Sequence, residues 1–447
     1  MIRIRAFIVI ASFAIFSVTD AARAQAGPAK LVSFDEFMKG VAAARFEDYA
    51  PRKDLAVKRS EDFEAMRQHI LSLYEGVTVD HSFVVDAQYF DCVPIDQQPS
   101  VRQLGLKHAL LTPPPPTSQP EEKSQAPRES HGLTSPLTLG LVDPFGNAVS
   151  CEEGTIPMRR VTLEEMSRFE TLEKFFQKSP WDGVGRAPQS EEPPAAPMPT
   201  HKYAHAAQTV NNYGGDSWLN LWSPPINGSA SQIFSLSQHW YVGGRGRSLQ
   251  TVEGGWQDYP LKYHTAQSVL FIYWTADNYK NTGCYNLDCA AFVQTNSNWY
   301  LGGPWTLYSS PGGQQYDFQL QWKLSGGNWW LYLQGSGGFE AIGYYPGTIY
   351  KRGQLTRFAQ VIDYGGETVG TTSWPPMGSS GFASLGYQGA AYQRNIFYID
   401  AGQTSRWSNL RTSITSPRCY TSIFVFASSA STWGSYLFFG GPGGLSC

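Results

Sequence analysis

The segments TVEGGWQDYP (residues 251–260) and VIDYGGETVG (residues 361–370) each carry a Gly-Gly pair inside an apparent β-strand. They lie in a half, residues 201–447, that is rich in Gly, Ser, Tyr, Trp, Phe, Asn and Gln, a composition typical of many short antiparallel strands joined by tight turns. No convincing amphipathic helix interrupts the strand-like segments after residue 201. The sequence therefore predicts a mainly β fold, an antiparallel β-sandwich or a related two-sheet architecture.

The first 200 residues have a different composition. They hold 27 acidic and 21 basic residues, against 10 acidic and 13 basic residues in 201–447. A chain of 447 residues is also too long for one ordinary core. We expect a small α+β unit over 27–179, a proline-rich linker over 180–200 and the β domain over 201–447.

Local patterns describe the first unit further. Capping boxes predict helices that start at Ser33 and Thr162, the latter extending to Phe176. A third amphipathic helix is predicted over 61–74. The insertion 112–130, rich in proline and charge, is expected to be disordered.

The chain begins like a secretory signal peptide. Arg3 and Arg5 precede an apolar run over 6–18 that is too short to span a bilayer, and small-x-small cleavage patterns follow at 22–26. We therefore expect residues 1–26 to be removed and the protein to be secreted, to the periplasm or the medium. An uncleaved anchor is the less favoured alternative.

Six cysteines in an exported chain favour disulfides over metal sites, and none of them forms a C-x-x-C motif. Proximity in the sequence suggests local bridges, although pairing cannot be deduced from sequence alone. The suggested pairs are Cys284 with Cys289, Cys419 with Cys447, and Cys92 with Cys151.

The second half lacks the signatures of serine hydrolases, zinc proteases and nucleotide-binding enzymes. Its histidines fit no recognised triad or metal pattern, so solvent or packing roles are expected for them; they are His201, His205, His239 and His264. Carboxylates are more informative because only three glutamates follow residue 192: Glu253, Glu340 and Glu367.

Two of these glutamates have matching surroundings. Glu253 precedes one Gly-Gly pair and Glu367 follows the other, and glycine in a strand suits the close approach of a second backbone such as a peptide substrate. A pair of nearby carboxyls would share one proton, one acting as base toward water and the other as acid, and would work best in acid. The alternative is that both are exposed strand residues beside turn glycines.

Longer motifs resemble the neprosin family. The motifs are GWQ after Glu253, FIYWTADNYKNTGCYNLDCAAFVQT (271–295), NWW (328–330), GGE (365–367) and the terminal CY...FFGGPGG...C, while DCVPIDQQPS (91–100) and CEEGTIPMRR (151–160) resemble the family's pro-domain. The resemblance implies a glutamic endopeptidase cleaving after proline, built on an antiparallel β-sandwich, with a pro-domain over 27–179 that is removed in acid.

The resemblance also assigns residues. It implies Glu253 and Glu367 as the catalytic pair, and bridges between Cys284 and Cys289 and between Cys419 and Cys447. The family more usually has a glycine before F-V-Q, where this chain has Ala290 and Ala291, and the 112–130 insertion is long. Four residues within or beside the shared motifs are candidates for binding substrate: Trp256, Gln257, Tyr285 and Trp329.

The expected partners are a proline-containing peptide or protein substrate and the chain's own pro-domain as inhibitor. No cofactor, metal, nucleic acid or, once the signal is removed, membrane is expected; Arg245 and Arg247 make too small a basic patch for a phosphate backbone. Two rival functions remain: a lectin-like carbohydrate-binding sandwich without peptidase activity, and a glycoside hydrolase that uses the same two carboxylates.

Overall fold

Two antiparallel sheets packed face to face form the second half of the chain. The computed structural model describes residues 31–120, 132–133 (backbone only), 141–178, 199–227, 231–335, 337–427, 432–445 and 447. The expected signal peptide and nearly all of the expected linker lie outside these ranges. The elements of the second half are β5 (Thr200–Asn212), β6 (Gly214–Asn220), β7 (Gln232–Gly243), β8 (Gln250–Asp258), α7 (Pro260–Tyr263), β9 (Val269–Thr275), β10 (Cys284–Tyr285), β11 (Val293–Gln294), β12 (Tyr316–Ser325), β13 (Asn328–Gln334), β14 (Phe339–Tyr345), β15 (Ala359–Gly370), β16 (Ser373–Trp374), β17 (Ala391–Ile399), β18 (Ser405–Trp407), β19 (Arg411–Ile414), β20 (Thr421–Val425), β21 (Tyr436–Gly440) and β22 (Gly444–Leu445), with the first half described below.

The described strands fall into two main sheets. Sheet I has the order β10-β9-β8-β7-β15-β5-β19, and sheet II has the order β11-β14-β13-β12-β6-β17-β21-β20, with β18 paired to β17. A minor pair joins β16 to β22. The predicted mainly β, antiparallel two-sheet architecture is confirmed.

Alternation along the strands fills the space between the sheets with aromatic and aliphatic side chains. Trp256 of sheet I and Trp322 and Trp329 of sheet II are completely buried there. The sheets pack so closely that a methyl group added at Gly254 would lie 3.1 Å from Nε1 of Trp322. Even-numbered residues of β8 thus face sheet II, and odd-numbered residues face away from it.

The described part of the first half is a small α+β unit that packs against sheet I and the outer face of sheet II. Its helices are α1 (Phe34–Ala43), α2 (Phe46–Tyr49), α3 (Ser60–Leu73), α4 (Pro99–Gln103), α5 (Leu163–Ser167) and α6 (Leu172–Phe176), and its strands are β1 (Ser82–Val85), β2 (Gln88–Pro94), β3 (Gly132–Leu133) and β4 (Thr155–Arg159). Strands β1, β2 and β4 form one sheet, and β3 pairs with β12.

Both predicted capping boxes are present, at Ser33 with Glu36 and at Thr162 with Glu165. The single helix predicted from Thr162 to Phe176 is wrong, because the chain makes two helices there. Thr171 accepts a hydrogen bond from the backbone N–H of Lys174 and so begins a second helix after a break.

Disorder was expected throughout the insertion 112–130, and for residues 112–120 this prediction is wrong. These residues follow the outer face of sheet II, where Lys323 donates to the carbonyl of Pro115 and Gln321 hydrogen-bonds Thr117. Composition does not reveal these partners. A proline tract lacks N–H groups, but its carbonyls still accept hydrogen bonds from another part of the chain. Residues 121–130 lie outside the described ranges.

All three suggested disulfides are present: Cys92–Cys151, Cys284–Cys289 and Cys419–Cys447. The first links β2 to the segment before β4, the second closes the loop after β10, and the third ties the C-terminus to the segment before β20. Among the described residues, no helix is long and apolar enough to cross a bilayer.

Candidate active site

Glu253 and Glu367 project from the same face of sheet I, the face turned away from sheet II. Glu253 lies on β8 opposite Trp240 of β7, and Glu367 lies on β15 opposite Leu236 of β7. One strand therefore separates the two glutamates. Alternation puts both carboxylates on the outward face, where the first half of the chain covers them.

The amino group of Lys178, at the end of the first half, lies between the two carboxylates. Its Nζ is 2.5 Å from Oε2 of Glu253 and 2.9 Å from Oε2 of Glu367. The two carboxylate oxygens can be no farther apart than the sum of these distances. The side chains of Lys178, Glu253 and Glu367 are 4%, 0% and 1% exposed, so the three charges form a buried cluster.

Two hydroxyl groups hold the other oxygen of Glu253. Thr251 Oγ1 and Tyr279 Oη each donate to Oε1 at 2.7 Å. Thr251 lies two residues earlier on the same face of β8, and Tyr279 lies in the loop after β9. These donors fix the orientation of the carboxylate and leave its second oxygen directed at Lys178.

Glu367 is held by groups from both flanking strands. His201 Nδ1 on β5 makes a short contact with Oε1, and Gln238 Nε2 on β7 donates to Oε2 at 3.4 Å. Burial alone would raise the pKa of Glu367, but the charge of Lys178 and the hydrogen bonds outweigh it and lower that pKa to about 2. Burial would likewise lower the pKa of Lys178, yet the two carboxylates raise it. Both charges are therefore favoured while the cluster is intact.

Gln238 occupies the middle of the floor between the glutamates. The pairing of β7 with its neighbours sets Gly255 on one side of it and Gly365 on the other. The other glycine of each pair faces sheet II, where a methyl group on Gly366 would lie 2.5 Å from Sδ of Met377. The glycine beside Gln238 carries no side chain, and a methyl group there would clash with a neighbouring strand, 1.9 Å from the carbonyl oxygen of Ser237 for Gly255 and 2.7 Å from that of Ala204 for Gly365.

Comparison with known proteins adds a family to this geometry. Residues 231–442 match the protein-family model described as Neprosin. This segment of the chain is a neprosin domain. The matched range contains both glutamates and confirms the resemblance in the motifs that lie within it, which supports the assignment to the glutamic peptidases.

Solved structures of peptidases also align with the chain at low similarity. Scytalido-glutamic peptidase with a peptide-based transition state analogue aligns with a TM-score of 0.31 and 8% identity, covering 55% of this chain and 100% of that one. SCP-B, a member of the eqolisin family of peptidases in complex with the tripeptide Ala-Ile-His, aligns with a TM-score of 0.29 and 6% identity over the same shares.

Two of the four substrate-binding candidates lie on the same outward face of sheet I as the two glutamates. Tyr285 donates from its hydroxyl to the backbone carbonyl of Lys178 at 2.8 Å, and Gln257 donates to the Tyr285 hydroxyl at 3.3 Å. In this arrangement both side chains belong to the surface that receives the segment ending at Lys178.

The other two candidates, Trp256 and Trp329, lie between the sheets. The Trp256 indole donates to the carbonyl of Asn220, and the Trp329 indole donates to the carbonyl of Leu355. A peptide lying along the outward face of sheet I would touch neither ring. The role expected for these two residues is therefore a correction: they pack the core of the neprosin domain.

The expectation that the histidines serve only packing or solvation is wrong for two of them. His201 contacts Glu367, and His205 Nδ1 lies 2.7 Å from Oδ1 of Asp363 on the same face of sheet I. Burial lowers the pKa of His205, but Asp363 more than offsets this and the net pKa is raised. His239 does lie in the core, between Ser217 and Tyr241.

The third glutamate, Glu340, takes no part in the cluster. Glu340 lies on β14 of sheet II and accepts hydrogen bonds from the side chains of Asn296 and Asn298. Among the described residues there is no group of three or more histidine, cysteine, aspartate or glutamate side chains suited to holding a metal ion. The arrangement on sheet I offers a carboxylate pair with fixed hydrogen-bond donors.

Proposed function

We propose that the chain is the precursor of a secreted glutamic endopeptidase that cleaves peptide bonds after proline in acid, with Glu253 and Glu367 as its catalytic pair. The observation that carries this proposal is that both carboxylates touch one ammonium group, Lys178 Nζ. A space that holds one ammonium between two carboxylates is also the right size for a water molecule beside a scissile carbonyl.

Removal of Lys178 would leave two buried carboxylates at short range. They cannot both ionise easily, so the pair would hold one proton. His201 stays beside Glu367 and is positively charged in acid, which favours Glu367 as the ionised partner. Glu367 then takes a proton from water, and Glu253 donates one to the leaving amine.

The attack of water on the carbonyl builds negative charge on the carbonyl oxygen. The Gln238 amide, on the floor between the glutamates, is placed to donate a hydrogen bond to that oxygen. The flanking Gly255 and Gly365 leave room for the extended backbone of the substrate.

The first half acts as inhibitor in this proposal, with Lys178 filling the site. Two further contacts join the halves: the buried Arg159 Nη2 lies 3.7 Å from Oδ1 of Asp288, and His69 Nε2 lies 2.8 Å from the backbone carbonyl of Asp288. In the ion pairs across the interface, Lys178 with the two glutamates and Arg159 with Asp288, the cation comes from the first half and the carboxylates from the second, although the first half is the one with net negative charge. Acid would weaken the contact of Lys178 with Glu367, because this contact lowers the pKa of Glu367 and so stabilises only the ionised carboxylate.

Secretion is proposed from the leading residues together with the three disulfides, which suit an oxidising compartment. Maturation is proposed to occur by self-cleavage in the proline-rich residues 180–200. The full Glu253→Gln chain should then stay uncut in acid without other proteases. Maturation of that variant at the wild-type rate would exclude self-cleavage.

The central test is hydrolysis of quenched fluorescent peptides by the full chain from pH 2.5 to 7. We expect cleavage in acid only, after proline, and at least a thousandfold loss in Glu253→Gln and in Glu367→Gln. Peptides with alanine in place of proline measure the specificity. A tenth or more of the wild-type rate in either glutamine variant would reject the pair.

A further inference from the structure

The outer face of sheet II, on the opposite side of the sandwich from the glutamates, carries an extended segment of the first half. Tyr332 Oη donates to the carbonyl of Pro114 at 2.5 Å, and Lys323 Nζ donates to the carbonyl of Pro115 at 2.8 Å. Gln321 then meets Thr117 twice, accepting from its N–H at 2.7 Å and donating to its carbonyl at 2.8 Å.

The hydrogen-bonding groups of this face match the sequence that lies on it. Proline has a carbonyl but no N–H, and the face offers only donors, Tyr332 and Lys323, to the two prolines. Thr117 has both groups, and there the face offers an amide that both donates and accepts. The pattern would suit proline-rich chain better than an ordinary strand, whose N–H groups would face donors.

The face is also held in place by its own side chains. Gln321 donates to Oδ2 of Asp216 at 2.9 Å, and Gln319 donates to the same carboxylate at 3.0 Å. This fixes the Gln321 amide with its oxygen toward the N–H of Thr117. Gln321, Tyr332 and Lys323 are 0%, 1% and 7% exposed, so the segment covers a preorganised set of groups.

We propose that this face, made by Gln321, Lys323 and Tyr332, is a recognition site for extended proline-rich polypeptide. Residues 113–117 fill it in the precursor, and a proline-rich stretch of another protein fills it once the first half has left. That release, but not the site itself, rests on the proposed function. All three recognising side chains lie in the second half and remain there after maturation.

Such a site would strengthen the binding of long substrates to a peptidase that cleaves beside proline. A protein substrate with more than one proline-rich stretch could be held on sheet II while another stretch enters the groove on sheet I. The second contact would then be intramolecular, with a raised effective concentration. Long proline-rich substrates would gain from the site, and short peptides would not.

The test uses the full chain carrying Glu253→Gln, so that binding is measured without hydrolysis. Residues 112–119 are replaced by a Gly-Ser linker of equal length to vacate the face, and binding of fluorescent LTPPPPTSQP is followed by anisotropy. We expect the linker variant to bind LTPPPPTSQP at least tenfold more tightly than LTAAAATSQP. It should also bind LTPPPPTSQP at least tenfold more tightly than does the chain that keeps residues 112–119. Lys323→Met and Gln321→Leu should each weaken binding about tenfold.

Equal affinity for the two peptides would overturn the proposal and leave the segment as a cover only. A second measurement serves if the linker variant does not fold: hydrogen exchange at the Thr117 amide in the otherwise intact chain. Gln321→Leu should speed that exchange at least tenfold, whereas Gln334→Leu, on the same face of β13, should not. Unchanged exchange in Gln321→Leu would also reject the site. Neither result depends on peptidase activity, so failure here is distinguishable from failure of the proposed function.

Discussion

Replacing Lys178 by methionine removes the charge between the two glutamates and keeps the length of the side chain. In the intact cluster the pKa of Glu367 is lowered from 4.5 to about 2. A depressed carboxylate pKa stabilises the fold above the unfolded value and loses that contribution as pH falls through the folded value. The shift corresponds to about 3 kcal/mol of the free energy of unfolding at neutral pH.

The free energy of unfolding of the Lys178→Met chain should therefore be about 3 kcal/mol lower than that of the wild type at pH 8. This is in line with the usual cost of removing one partner of a buried ion pair. The two carboxylates left behind would share a proton, so one of them acquires a raised pKa. A raised carboxylate pKa stabilises the fold at low pH and loses its contribution as pH rises through it. The decrease in the free energy of unfolding caused by Lys178→Met should accordingly be smaller at pH 5 than at pH 8, by about 1 kcal/mol or more.

Urea unfolding followed by tryptophan fluorescence at the two pH values measures this. Lys174→Met is the matched control, because Lys174 lies on α6 nearby and pairs only with the exposed Glu170 among the described contacts. Its effect should stay within about 0.5 kcal/mol at both pH values. The contrary results are that Lys178→Met lowers the free energy of unfolding equally at pH 5 and pH 8, or by no more than Lys174→Met does. Either result would refute the claim that the charge of Lys178 stabilises the two glutamates.

Three further outcomes are expected. Tyr279→Phe removes a hydrogen-bond donor to Glu253 and, on the proposed function, should lower kcat about tenfold with little change in KM; an unchanged kcat contradicts a positioning role. His201→Gln should raise the pKa of Glu367 in the matured enzyme and move the acid limb of the pH–rate profile upward by about one unit; an unmoved limb would argue against Glu367 as the base. Gly365→Ala should cost about 2 kcal/mol or more in unfolding free energy, because a methyl group there lies 2.7 Å from the backbone of β5 at a φ of +138°. Gly338→Ala, with open space around it, should be near neutral.

The two glutamates could be proposed from sequence because the second half is poor in carboxylates and repeats a Gly-Gly neighbour. Lys178 carried no such signal, since a lone lysine before a proline-rich stretch resembles any surface lysine. Gln238 and His201 reach Glu367 through the pairing of β15 with β7 and β5, and long-range strand register is not written in local sequence.

The buried position of Trp256 follows from strand alternation, whereas the partners of the proline tract do not follow from its composition. Alternation along β8 sets Glu253 and Gln257 on one face and therefore puts Trp256 on the other face. For residues 112–120, the composition describes what the segment cannot bury by itself. It says nothing of donors that a distant strand presents to its carbonyls.

The first half contacts the sandwich on both outer faces, and this bears on how the proposed precursor would become active. Lys178 enters the groove of sheet I from one direction, while residues 113–117 lie across sheet II. A cut within 180–200 leaves both contacts intact, because both lie before it in the chain. Cleavage alone therefore does not empty the site, and acid has to weaken the carboxylate contacts as well. The requirement for two events would keep the glutamates blocked in a chain that is cut too early.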